Sequence, residues 1–125
     1  MKLNLLKNKI VLLLCFLSLF VFGYAENGEL RVGMECGYAP FNWGQNNDKN
    51  GAVKIDSGYC GGYDVEIAKL IAKGLDKKLV VVKSEWDALL GPALTSGNVD
   101  IVIAGMSPTA ERKQSLSFTI MNRIL

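Results

Sequence analysis

The chain has 125 residues, half of them hydrophobic, with 14 basic and 12 acidic side chains and no histidine. That length holds one small domain. Without an imidazole, neither Ser-His-Asp nor Cys-His catalysis can be assembled, and most zinc sites lose a ligand. Taking away Lys2, Lys7 and Lys9 leaves 11 basic against 12 acidic residues, so the positive balance belongs to the N-terminus and the rest offers no nucleic-acid surface.

Those three lysines precede an apolar run, Ile10 to Phe22, in which only Ser18 is polar, and Gly23-Tyr24-Ala25 follows it. A positive start, a short apolar middle and a small-residue end make a secretory signal peptide over residues 1–25, with cleavage expected between Ala25 and Glu26. Two other readings compete with it. A membrane anchor needs about 20 apolar residues, more than this run supplies. A lipoprotein signal would use Cys15, but Leu14 before it is bulky and the apolar run continues past it. Export places the remaining cysteines, Cys36 and Cys60, in an oxidising compartment. They can be two buried thiols or a disulfide, and spacing alone leaves both open because it does not give the Cα separation.

The exported part opens on Glu29–Met34, whose alternation predicts a first strand. "CGYAPFNW" (36–43) reads as a loop broken by Gly and Pro. "NNDKNG" (46–51) reads as a solvated hairpin turn; Asp48 and Asn50 lack the spacing and final Glu of a calcium loop. "SGYCGGYD" (57–64) is glycine-rich without a phosphate-binding pattern. Asp64 is expected to cap a helix with an apolar stripe at Val65, Ala68, Ala72 and Leu75, widened by Ile67 and Ile71 and ended by Gly74. Leu79–Val82 is a second strand, apolar enough to be covered on both faces. Ser84 and Asp87 resemble a capping box for a helix over about 86–96, interrupted at Gly91-Pro92 and closed by Gly97. Val99–Ala104 is a third strand, about 108–116 a short helix and Ser117–Met121 a fourth strand.

Alternating strands and helices predict a parallel sheet with right-handed crossovers, which binds ligands at the carboxyl ends of its strands. "ECGYAPFNW", "KSEW" and "GMSPTAER" should therefore gather on one edge. In the last of these, Ser107 suits an N-cap and Pro108 a first helical position. Free N–H groups there favour an anion, and Arg112 could reach back over the same spot to grip a carboxylate. From spacing alone, an ordinary cap and a solvated arginine are the favoured explanation of the stretch.

"LRVGMECGYAPFNW", "GGYDVEIAKLIAKGL", "EWDALLGPAL" and "DIVIAGMSPTAERKQSLSF", in this order, resemble the first lobe of a bacterial extracellular solute-binding protein of family 3, the polar amino-acid binding subunits of ABC importers. The resemblance implies an α/β fold, the parallel-sheet lobe of a type II periplasmic-binding fold. It implies that Arg112 receives the ligand α-carboxylate, with Ser107 offering hydroxyl and backbone N–H to the same group. Gly105 would meet the α-amino group through its backbone, Tyr38 and Trp86 would sandwich the ligand side chain, and Glu35 would meet a polar or cationic one. Glu35 reads equally as a surface carboxylate.

Two departures stand out. Gly91 lengthens the turn before Pro92 relative to the family run, and Phe118-Thr119 leads into Ile120–Leu125 where an Asp-Pro-Tyr-Tyr-like segment and a second lobe are expected. Residues 26–125 are thus read as an incomplete first lobe. The implied function is the substrate-binding component of an importer for a polar or cationic amino acid. Its partners would be that amino acid and the membrane permease, with no nucleic acid; it would need no cofactor, metal or catalytic residue and would lie in the periplasm or outside the cell, associated with the envelope. A cyclohexadienyl or arogenate dehydratase-like enzyme on the same fold is the alternative, for which Glu35 is the one pocket acid; a ligand-sensing or adaptor lobe is a third. One lobe alone leaves the far side of a ligand in water, so affinity no better than about millimolar is expected of it.

Overall fold

A computed structural model describes residues 1–9 and 28–119. The apolar run of the expected leader, Cys15, the cleavage point, and the segment from Ile120 to the C-terminus lie outside the described residues.

Strand β1, Glu29–Met34, buries Leu30, Val32 and Met34 on one face. Strand β6, Lys78–Lys83, pairs with it in parallel from Glu29↔Lys78 to Met34↔Lys83. On its other side lies β7, Ile101–Val102, also parallel, with Val32↔Ile101 and Gly33↔Val102. The sheet order β6-β1-β7 makes β1 the centre of a parallel α/β sheet. Arg31 fixes the β1–β7 register: its backbone N–H donates to Asp100 Oδ2 at 2.8 Å and its Nη2 to Asp100 Oδ1 at 2.9 Å. Among the described residues β6 is an edge strand, and Val81 alone in it is buried, so its apolar run is not covered on both faces as expected. The third strand is shorter than Val99–Ala104, because β1 offers it partners at Val32 and Gly33 alone.

A second sheet, not foreseen from the sequence, fills the stretch between β1 and the first long helix. It comprises β2 (Gly37–Tyr38), β3 (Asn42–Gln45), β4 (Val53–Ile55) and β5 (Gly58–Gly61), antiparallel in the order β2-β3-β5-β4. Since β3 pairs with β5 and not with β4, "NNDKNG" is a crossover and the hairpin lies at Asp56-Ser57. The crossover folds on itself: Gln45 Nε2 donates to the Asn47 carbonyl at 2.8 Å and the Lys49 carbonyl at 3.0 Å. The ladder between β3 and β5 sets Gly44 opposite Cys60, and a Cys36–Cys60 disulfide with Cα atoms 5.7 Å apart joins the end of β1 to β5.

Helix α1, Tyr63–Gly74, presents Val65, Ile67, Ala68 and Ala72 to the core. Its N-cap is Gly62, so Asp64 is the second helical residue and not the cap. Gly74 is its last residue, and the left-handed position falls on Asp76 at φ 53°. There Lys77 N–H donates to the Ala72 carbonyl at 2.9 Å and Asp76 N–H to that of Lys73 at 3.1 Å, the paired closure of a Schellman end. This turn swings Leu75 out of the expected stripe to 56% exposure. Gly62 itself is required: its φ is +121°, and a Cβ there would lie 2.4 Å from the Phe41 carbonyl oxygen. Gly62→Ala is therefore expected to cost about 2–3 kcal/mol, read as a drop in the urea midpoint. An unchanged midpoint would show that this junction yields.

After β6 come two short helices, α2 (Trp86–Leu89) and α3 (Pro92–Thr95), broken at Gly91-Pro92 as expected. The capping box does not form: Glu85 is the N-cap, without a side-chain cap bond, and both Ala88 and Leu89 N–H donate to its carbonyl. Beyond β7 the expected helix over 108–116 shrinks to a 3₁₀ turn at Arg112–Gln114. Ser117–Thr119 forms no strand, and β7 has β1 as its partner among the described residues.

Candidate functional site

Because β1, β6 and β7 run parallel, their carboxyl ends open on one edge. Glu35 follows β1 directly, Ser84 follows β6 directly, and Gly105 stands three residues after the end of β7. The segments are tied there by backbone bonds: Ser84 N–H donates to the Met34 carbonyl at 2.9 Å and Ile103 N–H to that of Gly33 at 3.1 Å. An open cleft of about 340 Å³ at this edge is lined by Glu35, Tyr38, Trp86, Gly105, Ser107 and Arg112. The fold thus brings together all six residues singled out from the sequence.

The corner around Ser107 and Arg112 is built differently from the expected helix start. Ser107 is not an N-cap; the Thr109 hydroxyl takes the backbone N–H of Arg112 at 3.3 Å instead. Arg112 does reach back. Its Nη1 donates to the Ser107 carbonyl at 3.0 Å, and its guanidinium lies over the Trp86 ring, 5.3 Å from the centroid. Stacking on an indole suits a planar guanidinium and leaves its other N–H groups pointing outward in plane. Arg112 is half-buried and has no carboxylate within ion-pair distance among the described residues.

The aromatic wall rests on a residue not singled out from the sequence. Tyr38 stacks on Phe41 with centroids 5.1 Å apart, the bond between Ala39 and Pro40 being cis. Both rings close on Gly105, whose φ is +58°; a Cβ at Gly105 would lie 3.1 Å from Tyr38 Cε1 and from Phe41 Cγ. Only a residue without a side chain lets the loop after β7 approach the wall this closely. The crowding of three aromatics in 38–43 was the available signal for Phe41.

Asp64 and Asn42 are both buried, and Asn42 Nδ2 donates to Asp64 Oδ2 at 2.8 Å. Burial pushes the Asp64 carboxyl above the usual carboxylate range, against the pull of the Asn42 amide and of the nearby Gly105 backbone. The stability linked to this group is therefore present below the ordinary carboxylate pKa and lost as pH rises through the higher value reached in the fold.

Residues 30–123 match the family described as bacterial extracellular solute-binding proteins, family 3. The chain is 36% identical over 90 residues to a probable histidine-binding protein of Campylobacter jejuni, covering 72% of this chain and 30% of that one. It is 32% identical over 96 residues to an L-arginine-binding protein of Pseudomonas aeruginosa, covering 77% and 33%. The chain thus spans about a third of the length of these curated relatives. Among solved structures, the arginine-bound form of domain 1 from TmArgBP superposes with a TM-score of 0.62 at 32% identity, covering 74% of this chain and 65% of that one. An ancestral amino acid-binding protein described as a precursor of cyclohexadienyl dehydratase gives a TM-score of 0.57 at 39% identity, covering 70% and 34%.

Proposed function

Since the chain belongs to the bacterial extracellular solute-binding proteins of family 3, we propose that it carries one wall of a binding site for a cationic amino acid, exported by residues 1–25 and serving an ABC importer through its permease. The observation that carries this reading is Arg112, stacked on Trp86 and without an acidic partner among the described residues, in the same cleft as Glu35. An α-amino acid with a cationic side chain is complementary to that arrangement. Its carboxylate takes the outward N–H groups of Arg112 and the hydroxyl and N–H of Ser107. Its amino group meets the Gly105 carbonyl. Its side chain runs between Tyr38 and Trp86 towards Glu35, where an opposite charge is favoured in a partly desolvated cleft.

The relatives are named for binding histidine and arginine, which supports a cationic or nitrogen-rich side chain here. A domain of similar fold is known in an arginine-bound form, which supports capture of an amino acid by one lobe, while the open far side of the cleft keeps the expected affinity no better than about millimolar. The relatives named for a ligand are binding proteins, and the dehydratase-like alternative has one carboxyl in the cleft, Glu35, to act as both acid and base. Titration of the chain with L-arginine, L-lysine, L-histidine, L-glutamine and L-glutamate by calorimetry tests the reading. The cationic ligands are expected to bind at least about tenfold more tightly than glutamate, a difference of about 1.4 kcal/mol. Equal or preferential binding of glutamate, or no saturable binding of any, would reject it.

A further inference from the structure

The geometry points to Trp86 as a positioning residue for the ligand carboxylate, acting through Arg112, an inference that rests on the amino-acid-binding reading above and deepens it. An arginine side chain is long and rich in rotamers, and a fork that must meet a carboxylate in plane binds best when it is held beforehand. Two contacts hold this one. The guanidinium lies over the Trp86 ring, its central carbon 5.3 Å from the ring centroid, and Nη1 donates to the Ser107 carbonyl at 3.0 Å. The ring sets the plane of the guanidinium but lets it turn within that plane; the bond to Ser107 stops the turn. The face of the indole beneath the guanidinium is thereby closed to a ligand side chain, so Trp86 contributes at the carboxylate end of the ligand as well.

The two contacts differ in what they tie together. Ser107 and Arg112 are five residues apart in one segment, so their bond moves with that segment. Trp86 belongs to α2, which is seated on the sheet. Ser84 N–H, just before α2, donates to the Met34 carbonyl at 2.9 Å. One turn after Trp86, the fully buried Leu89 fills the space that Gly33 leaves on β1, where a Cβ would lie 2.8 Å from Leu89 Cδ2. Gly33 is also the residue that β1 pairs with Val102 of β7, and its carbonyl takes the Ile103 N–H at 3.1 Å. The Trp86 contact therefore sets the fork against the central strand of the sheet, and not only against its own loop.

A double-mutant cycle tests this. L-Arginine is titrated at constant ionic strength and followed by protein amide resonances, which report saturation by a weak ligand in folded molecules. Trp86→Leu keeps apolar bulk without a ring face and is expected to bind about tenfold more weakly than the unmodified chain, while Trp86→Phe keeps a face and should recover part of that loss. Arg112→Lys is expected to be about tenfold weaker. The variant carrying both Trp86→Leu and Arg112→Lys should stay within about threefold of either alone, because lysine has neither the fork nor the planar group that the indole orients. Losses that multiply to about a hundredfold would overturn the inference, since independent effects add in free energy; a ring that touches only the ligand, or one that merely supports the fold, gives that result. Should Trp86→Leu not fold, the unmodified chain decides: magnetisation transfer between the Trp86 ring protons and the Arg112 side-chain protons should be present without ligand and at saturation with arginine. Its absence in either state would overturn the inference. No saturable binding of arginine by the unmodified chain rejects the binding reading and the inference with it, whereas saturable binding with multiplying losses, or without the Trp86–Arg112 transfer, rejects the inference alone.

Discussion

Arg112→Ala is expected to weaken L-arginine binding at least about a hundredfold, or about 2.7 kcal/mol. The guanidinium can hold a carboxylate through two parallel charge-assisted bonds, each worth about 1.5–3 kcal/mol. Removal also leaves the ligand carboxylate partly desolvated against the Trp86 face. Arg112→Lys keeps the charge but not the fork, so it should recover only part of the loss, ending about tenfold weaker than the unmodified chain. Stability should hardly move in either variant, because the side chain's contacts within the protein are the Ser107 carbonyl and the Trp86 ring. Calorimetry with L-arginine, alongside thermal melts, separates the two effects. Unchanged affinity in Arg112→Ala would reduce Arg112 to a surface residue resting on an indole.

Opening the Cys36–Cys60 bridge should have the largest effect on stability. The two residues are 24 apart in sequence, and closing a loop of that length restricts the unfolded chain by about 3 kcal/mol in the entropic account. For a domain of this size that corresponds to a fall in Tm on the order of 15 °C. Both sulfurs are buried, Cys60 completely, so the double alanine variant should fall somewhat further than the reduced protein as it also loses sulfur packing. Because Cys36 lies between Glu35 and Tyr38, arginine affinity should fall as well. Melts with and without reductant, on protein whose thiols have been counted by alkylation, check this. A shift under about 3 °C, or two alkylatable thiols in the folded unreduced protein, would contradict it.

Much of the parallel framework was legible because its signals are local and periodic. The alternation of Glu29–Met34 survives as a strand buried at Leu30, Val32 and Met34, and the α1 stripe survives from Val65 to Ala72. The break at Gly91-Pro92 is where a missing Cβ and a missing N–H both interrupt a helix. Errors cluster where an end is decided by what the chain meets and not by what it contains. Asp64 has the composition of a cap, yet Gly62 takes that place since only glycine fits against the Phe41 carbonyl. Ser107 and Pro108 have the composition of a helix start, yet the segment after Gly105 is held by Arg112 bonding back to the Ser107 carbonyl and makes only one 3₁₀ turn.

What the sequence by itself determined is the set of strands whose carboxyl ends share an edge, and with it the gathering of the segments that carry Glu35, Tyr38, Trp86, Gly105, Ser107 and Arg112. That followed from strand direction, which periodicity and the need for crossovers prescribe, while the choice of those six residues within the segments came from the family resemblance. What only the tertiary structure decided is the small antiparallel sheet and the buried Asn42–Asp64 pair. Strands of two to four residues rich in glycine carry too few side chains to show a period of two; they form because β3 finds β5 across a long crossover and a disulfide pins β5 to the end of β1. The Asn42–Asp64 contact joins residues 22 positions apart. Its energy comes from two polar groups losing water together, a condition that exists only after the chain has closed around them.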